Sequence, residues 1–270
     1  MTTEVRDVTD VTGNIVALEH VNVQVPDQGT ARKFYVDTLG LTRDPEQMTG
    51  AVNMWINVGQ SQFHLPSGEA QVLRGHVGLV LPDRARLLAR LSVAKSDFAD
   101  TSFAFVEDDA FVDVTTPWGN RLRCFGPSPR FGDVSLGMAY VEFDVLTGTA
   151  EPIADFYREL LGARCEVVED ASGRFATCSV GSNQQFLFRE RDGALPDYDG
   201  HHVQVYLADI AGPLEKLQAR GLVYEVVEHQ FRFKDIVDPD DNEVLFTIEH
   251  EIRSTAHPMF NRTLFNRVLD

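Results

Sequence analysis

Three cysteines in 270 residues, Cys124, Cys165 and Cys178, are too few and too scattered for a disulfide framework or a thiolate metal site. A reducing compartment, the cytoplasm, is therefore expected. No apolar run approaches the roughly 18–20 residues that a membrane span needs. The opening MTTEVRDVTD lacks the basic and apolar regions of a secretory signal. Positive charge is also scarce: 24 Lys and Arg stand against 41 Asp and Glu, a formal charge of −17 that repels phosphate backbones and argues against nucleic acid as a partner. Hydrophobic content of 43% and charged content of 24% are those of an ordinary globular protein, long enough for two cores.

The chain has an internal repeat. Residues 19–27, Glu-His-Val-Asn-Val-Gln-Val-Pro-Asp, alternate strictly. Val21, Val23 and Val25 fall on one face of a strand, and His20, Asn22 and Gln24 on the other. The pattern returns from His76 to Asp83, more weakly from Tyr140 to Val145, and again from His202 to Asp209, a spacing of about 60 residues. After each such strand comes an amphipathic stretch, expected as helices over 28–39, 84–91, 151–161 and 210–220. Three short strand-like runs then follow each helix. In the first repeat they span 41–46, 52–58 and 61–65, broken at Thr49-Gly50 and Gly59-Gln60. Phe34-Tyr35 followed by Leu39-Gly40, and Phe156-Tyr157 followed by Leu161-Gly162, tie the two halves together.

The resulting expectation is an α+β fold of four βαβββ modules, paired into two cupped, mostly antiparallel sheets with helices on the outer face. Residues 1–14 are expected as a polar leader and 15–125 as an N-terminal pair of modules. Residues 126–137, with two prolines and two glycines, read as a linker. Residues 138–250 form a C-terminal pair. Residues 251–270 form a tail, either a docking helix or an extended cover carrying Met259, Phe260, Leu264, Phe265 and Val268.

The same alternation selects candidate functional residues. His64 shares the polar face of its strand with Gln62, and His76 opens the second repeat as His20 opens the first. Imidazoles on His20, His64 and His76, on separate strands of one cupped surface, form a metal-ligand set. Imidazole suits iron, zinc, copper and nickel, and three protein ligands leave positions open. Each histidine taken singly is more often a hydrogen-bonded structural residue; the weight lies in three of eight occupying equivalent places. Asn22, Gln24 and Gln62 are placed to orient a substrate. Arg123 is placed to grip an anionic or oxygen-rich one. Tyr140, His202 and Tyr206 are weaker candidates for a second site. No residue is singled out as a catalytic acid or base.

The His-Val openings at His20 and His76, the two Phe-Tyr-x-x-x-Leu-Gly helices and the turns Pro117-Trp118-Gly119-Asn120 and Asp238-Pro239-Asp240-Asp241-Asn242 resemble the vicinal oxygen chelate superfamily. That superfamily includes glyoxalase I, extradiol dioxygenases and bleomycin-resistance proteins. The resemblance covers about 15–249. It implies metal ligands on first and last strands of paired modules. These positions match His20, His76, His64 (where the family usually has glutamate) and Arg123 in the first half. In the second half they match Tyr140, Leu187, His202 and Leu245, of which one is a histidine. The resemblance implies a metal-dependent enzyme, a dioxygenase or a lyase or isomerase, acting on a small substrate with adjacent oxygens. Its cofactor would be a divalent ion, Fe(II) favoured, with Zn, Mn or Ni as the other options. Two alternatives stand beside it: a metal-free protein that sequesters a small molecule, and a scaffold or homo-oligomerisation module with structural histidines.

Overall fold

The computed structural model describes residues 13–47 and 52–267. Most of the expected leader, the Thr49-Gly50 turn and Val268 lie outside the described residues. Secondary structure follows one order four times. The first module is β1 (Ile15–Asn22), α1 (Gln28–Arg32, continuing as a π-helical turn over Lys33–Thr38), β2 (Thr42–Arg43), β3 (Asn53–Val58) and β4 (Ser61–Pro66). The second is β5 (Gly75–Val80), α2 (Arg84–Ala94), β6 (Ala104–Glu107), β7 (Val112–Thr115) and β8 (Arg121–Phe125). The third is β9 (Gly137–Leu146), α3 (Ala150–Leu161), β10 (Cys165–Asp170), β11 (Gly173–Gly181) and β12 (Gln184–Arg191). The fourth is β13 (His202–Leu207), α4 (Ala211–Ala219), β14 (Val223–Val227), β15 (Gln230–Val237) and β16 (Val244–Ser254). The strands make two open eight-stranded sheets, mostly antiparallel, in an α+β fold.

Local chemistry explains the repeated order. The Pro-Asp pairs that end β1 and β5 leave an aspartate at the helix start: Asp27 accepts from the Thr30 amide at 2.6 Å and Asp83 from the Arg86 amide at 2.9 Å. Gly40 and Gly162 follow the first and third helices with φ of +82° and +69°, the left-handed backbone that closes a helix. The Phe-Tyr pairs are the buried faces of these helices. Tyr35 packs on Phe63, ring centroids 5.1 Å apart, and Tyr157 on Phe188 at 5.3 Å.

The chain forms two compact units. Unit one holds Phe143–Pro196, Val203–Arg262 and the segment ending at Leu18; unit two holds Glu19–Glu142, Asp197–His202 and the segment from Thr263. The expected linker, 126–137, lies within unit two. Pro129–Phe131 is a 3-10 turn whose Phe131 is buried against Phe125, centroids 5.1 Å apart, so this stretch is packed rather than free. Gly13 and Asn14, assigned to the leader, are also held: the Asn14 amide donates to Leu161 O at 3.0 Å and Asp209 O at 2.7 Å within unit one.

In unit two, β4 runs parallel to β1, and β3 and β2 follow antiparallel. There β8 runs parallel to β5, with β7 and β6 beyond it, and β9 is the neighbour of β5 on its other side. Unit one contains the antiparallel arrays β10-β11-β12 and β14-β15-β16. In the first of these, Cys165 and Cys178 face each other across β10 and β11 and are joined as a disulfide, while Cys124 is a buried thiol. Sequence spacing treated these cysteines as scattered; strand register brings two of them together. The expected tail divides: Glu251–Ser254 ends β16, and the part from Thr263 lies extended in unit two. Asn57 donates to Phe265 O at 2.8 Å, the Gly59 amide to Asn266 Oδ1 at 3.1 Å, and the Arg267 amide to Thr42 Oγ1 at 3.0 Å. No helix among the described residues is long and apolar enough to cross a membrane.

Candidate metal centre

Parallel pairing of β1 with β4 sets His20 beside Gln62 and Asn22 beside His64. Because alternate residues share a face, His20, Asn22, Gln62 and His64 project together. The segment 197–202 of unit two adds His202 to this face. Ligand atoms of His20, His64 and His202 all lie within 4.8 Å of one another. His20 Nε2 and His202 Nε2 are 3.4 Å apart. Two nitrogens bound at about 2.0–2.1 Å to one tetrahedral ion would be separated by about 3.4 Å, so this pair needs no rearrangement to share a metal.

The surroundings hold the rings in place. His20 Nδ1 is 2.9 Å from Glu19 Oε2, with the histidine 1% exposed. A carboxylate on one ring nitrogen fixes the tautomer and leaves the other as the ligand, the usual outer partner of a metal-bound histidine. His64 Nε2 lies 2.7 Å from Asn53 Oδ1, and the Trp55 indole stacks on the His64 ring at 3.8 Å and 10°. Trp55 also meets His20 edge-on at 5.1 Å. His64 is only half-buried, so the cluster opens to one side.

His202 reaches the cluster because its segment is clasped. Asp199 accepts from the Val72 amide at 2.6 Å, and the Gln71 side chain donates to Asp199 O at 2.8 Å. His201 Nδ1 lies 2.5 Å from Asp199 Oδ1. Burial pushes the Asp199 carboxyl up, but the hydrogen bonds from His201 and Val72 outweigh it, and the group ends below its ordinary range. His201 thus turns to Asp199 while His202 turns to His20, the opposed directions that neighbours on a strand take.

Of the three histidines expected from sequence, His20 and His64 lie together, joined by His202. His76 is not in the cluster; its Nε2 is 3.0 Å from the Tyr140 hydroxyl and its Nδ1 is 3.8 Å from Glu142 Oε1. The physical reason is strand pairing. In unit two, β5 has β9 as its neighbour, so the partner of His76 comes from the third repeat, and that of His20 from the start of the fourth. Arg123 lies with the His76 group, its charge acting on the Tyr140 hydroxyl. Of the other residues expected at the site, Asn22 is buried beside His64 and its Oδ1 has no hydrogen-bond partner. Gln62 is fixed in a buried network, donating to Asp44 at 3.0 Å and Asn57 at 2.7 Å. The Gln24 side chain lies over Gly68, where a Cβ would come within 2.1 Å of its Oε1. Tyr206 belongs to unit one, its ring 4.9 Å from Phe260. Glu19, Asn53 and Trp55 were not anticipated. The signal for Trp55 was its register opposite His64, which alternation alone does not supply.

No protein-family model and no curated protein sequence matches the chain. Solved structures do. Glyoxalase I from Zea mays is 14% identical, with a TM-score of 0.62 over 88% of this chain and 92% of that one. A Bacillus subtilis protein provisionally described as a dioxygenase is 16% identical, with a TM-score of 0.58 over 93% and 91%. The cppA protein of Streptococcus pneumoniae is 12% identical, with a TM-score of 0.50 over 90% and 99%. With its four βαβββ modules and two eight-stranded sheets, this chain has the vicinal oxygen chelate fold.

Proposed function

We propose that the chain is a divalent-metal-dependent enzyme of the glyoxalase or dioxygenase type, with His20, His64 and His202 as the metal ligands. The carrying observation is the convergence of three imidazoles from separate parts of the sequence, with His20 Nε2 and His202 Nε2 3.4 Å apart. Three neutral nitrogens favour iron, zinc, manganese or nickel over magnesium and calcium, which prefer oxygen. When bound, such an ion supplies Lewis-acid polarisation of substrate oxygens or, as iron, the means of activating dioxygen.

The chain's own groups do the rest. Glu19 orients His20, and Asn53 and Trp55 orient His64. Asn22 Oδ1 is a buried acceptor next to His64, suited to a hydroxyl of a substrate with adjacent oxygens.

Metal content of tag-free protein tests this reading. Wild type and His76→Ala are expected to hold one equivalent, and His64→Ala and His202→Ala to lose it. Retention in His202→Ala with loss in His76→Ala would overturn the assignment. Failure of wild type to bind added iron, zinc, manganese or nickel would leave the metal-free binding protein as the reading.

A further inference from the structure

We propose a second, metal-free site on the face of β6, β7 and β8, built around Arg123, that binds a small monocarboxylate with an apolar or aromatic body. It goes beyond the metal centre and does not depend on it. Arg123 holds in the second repeat the place of His64 in the first. Each stands on the last strand of its module, opposite the residue two places after the opening histidine: His64 opposite Asn22, Arg123 opposite Gly78. Where the first repeat offers an imidazole, the second offers a permanent cation.

Its surroundings suit an anion. The Arg123 Nε is buried and makes no hydrogen bond; the nearest carboxylate oxygen, Asp113 Oδ2, is 3.8 Å away and is already bonded to Arg121 at 2.8 Å. The guanidinium lies over the Phe111 ring at 5.0 Å. Pairing of β7 with β8 places Asp113 opposite Arg123 and Thr115 opposite Arg121, so these four side chains share a face. A cavity of about 390 Å³ opens beside Arg123, lined by Val106, Asp108, Phe111, Asp113, Thr115 and Arg121 among others. Phe111 and Asp113 thus border both the cavity and Arg123.

The Tyr140 hydroxyl is 3.0 Å from His76 Nε2 and lies in the field of the Arg123 charge. Burial raises Tyr140 to about 12, so it remains a neutral phenol able to donate to a carboxylate. Glu142, 4% exposed and facing His76, and Asp113 add negative charge, which disfavours a dianion such as phosphate. One guanidinium fork, one phenol and the Phe111 ring match a single planar carboxylate on an apolar body.

Calorimetric titration with benzoate tests the site, with benzamide as the uncharged control. Metal-stripped wild type and His64→Ala should bind benzoate equally, and benzamide at least about tenfold more weakly. Arg123→Gln should weaken benzoate by about tenfold or more, Arg123→Lys by less, and Phe111→Leu should weaken it while leaving the charge in place. Equal binding of benzamide, loss of benzoate binding in His64→Ala with retention in Arg123→Gln, or no binding to wild type at about 20 mM would each overturn the proposal. If Arg123→Gln does not fold, benzoate-induced shifts of the Phe111 and Tyr140 ring resonances in wild type decide it: their absence at saturation refutes the site.

Discussion

Acid should destabilise unit one through a single histidine. His250 on β16 is 1% exposed, stacked on Phe233 with centroids 4.4 Å apart and ring planes 7° from parallel. Its Nδ1–H donates to Ile248 O at 2.9 Å, and its Nε2 accepts from the Tyr157 hydroxyl at 2.5 Å. Both nitrogens are satisfied only by the neutral ring, and burial lowers the pKa from 6.5 to about 4. A proton therefore binds the unfolded chain more tightly than the folded one. The stability this neutral ring confers is complete above pH 6.5 and is lost progressively as pH falls toward 4. At about 1.4 kcal/mol per unit, the loss across that window is roughly 3 kcal/mol. Urea unfolding at several pH values, on wild type and His250→Phe, isolates the effect. The variant keeps the aromatic stack but strands the Tyr157 hydroxyl, so it should be less stable at pH 7.5 by about 1–3 kcal/mol. The gap should then close by roughly 3 kcal/mol as the pH falls, because only wild type has this proton to take up. Parallel pH curves for the two proteins would refute the reasoning.

Removing the carboxylate behind the proposed metal centre, Glu19→Ala, should weaken metal binding by about 10–100-fold in competition with a chromogenic chelator, with the metal-free melting temperature changing far less. Gly78→Ala should destabilise, because a Cβ there would stand 2.1 Å from Tyr140 Cε1; overpacking of this kind costs about 1–3 kcal/mol. Its metal content should match wild type, since Gly78 lies beside Tyr140 and His76 and not beside the three-histidine cluster, and calorimetry with zinc would check this.

The two-residue and 3.6-residue periods that define β1, β5, β9, β13 and the Phe-Tyr helices are local properties, so they could be read without the structure. Which opening strand lies beside which is not local. His20 and His76 occupy the same place in their repeats and carry the same alternating valines and leucines, so nothing in either stretch says which of them joins a histidine cluster. Packing distinguishes them: the start of β13 brings His202 to His20, whereas β9 brings Tyr140 to His76. The same pairing accounts for the side chains that were missed. Trp55 and Asn53 become part of the centre only through the antiparallel register of β3 with β4, and Glu19 through a side chain that turns back on its own neighbour. Tyr140 was the one repeat-opening residue that broke the histidine pattern, and that exception was informative. With a phenol opposite His76 and Arg123 in the place of His64, that group keeps a single imidazole. Of the two equivalent strand ends in unit two, the one facing His202 is where three imidazoles come together among the described residues.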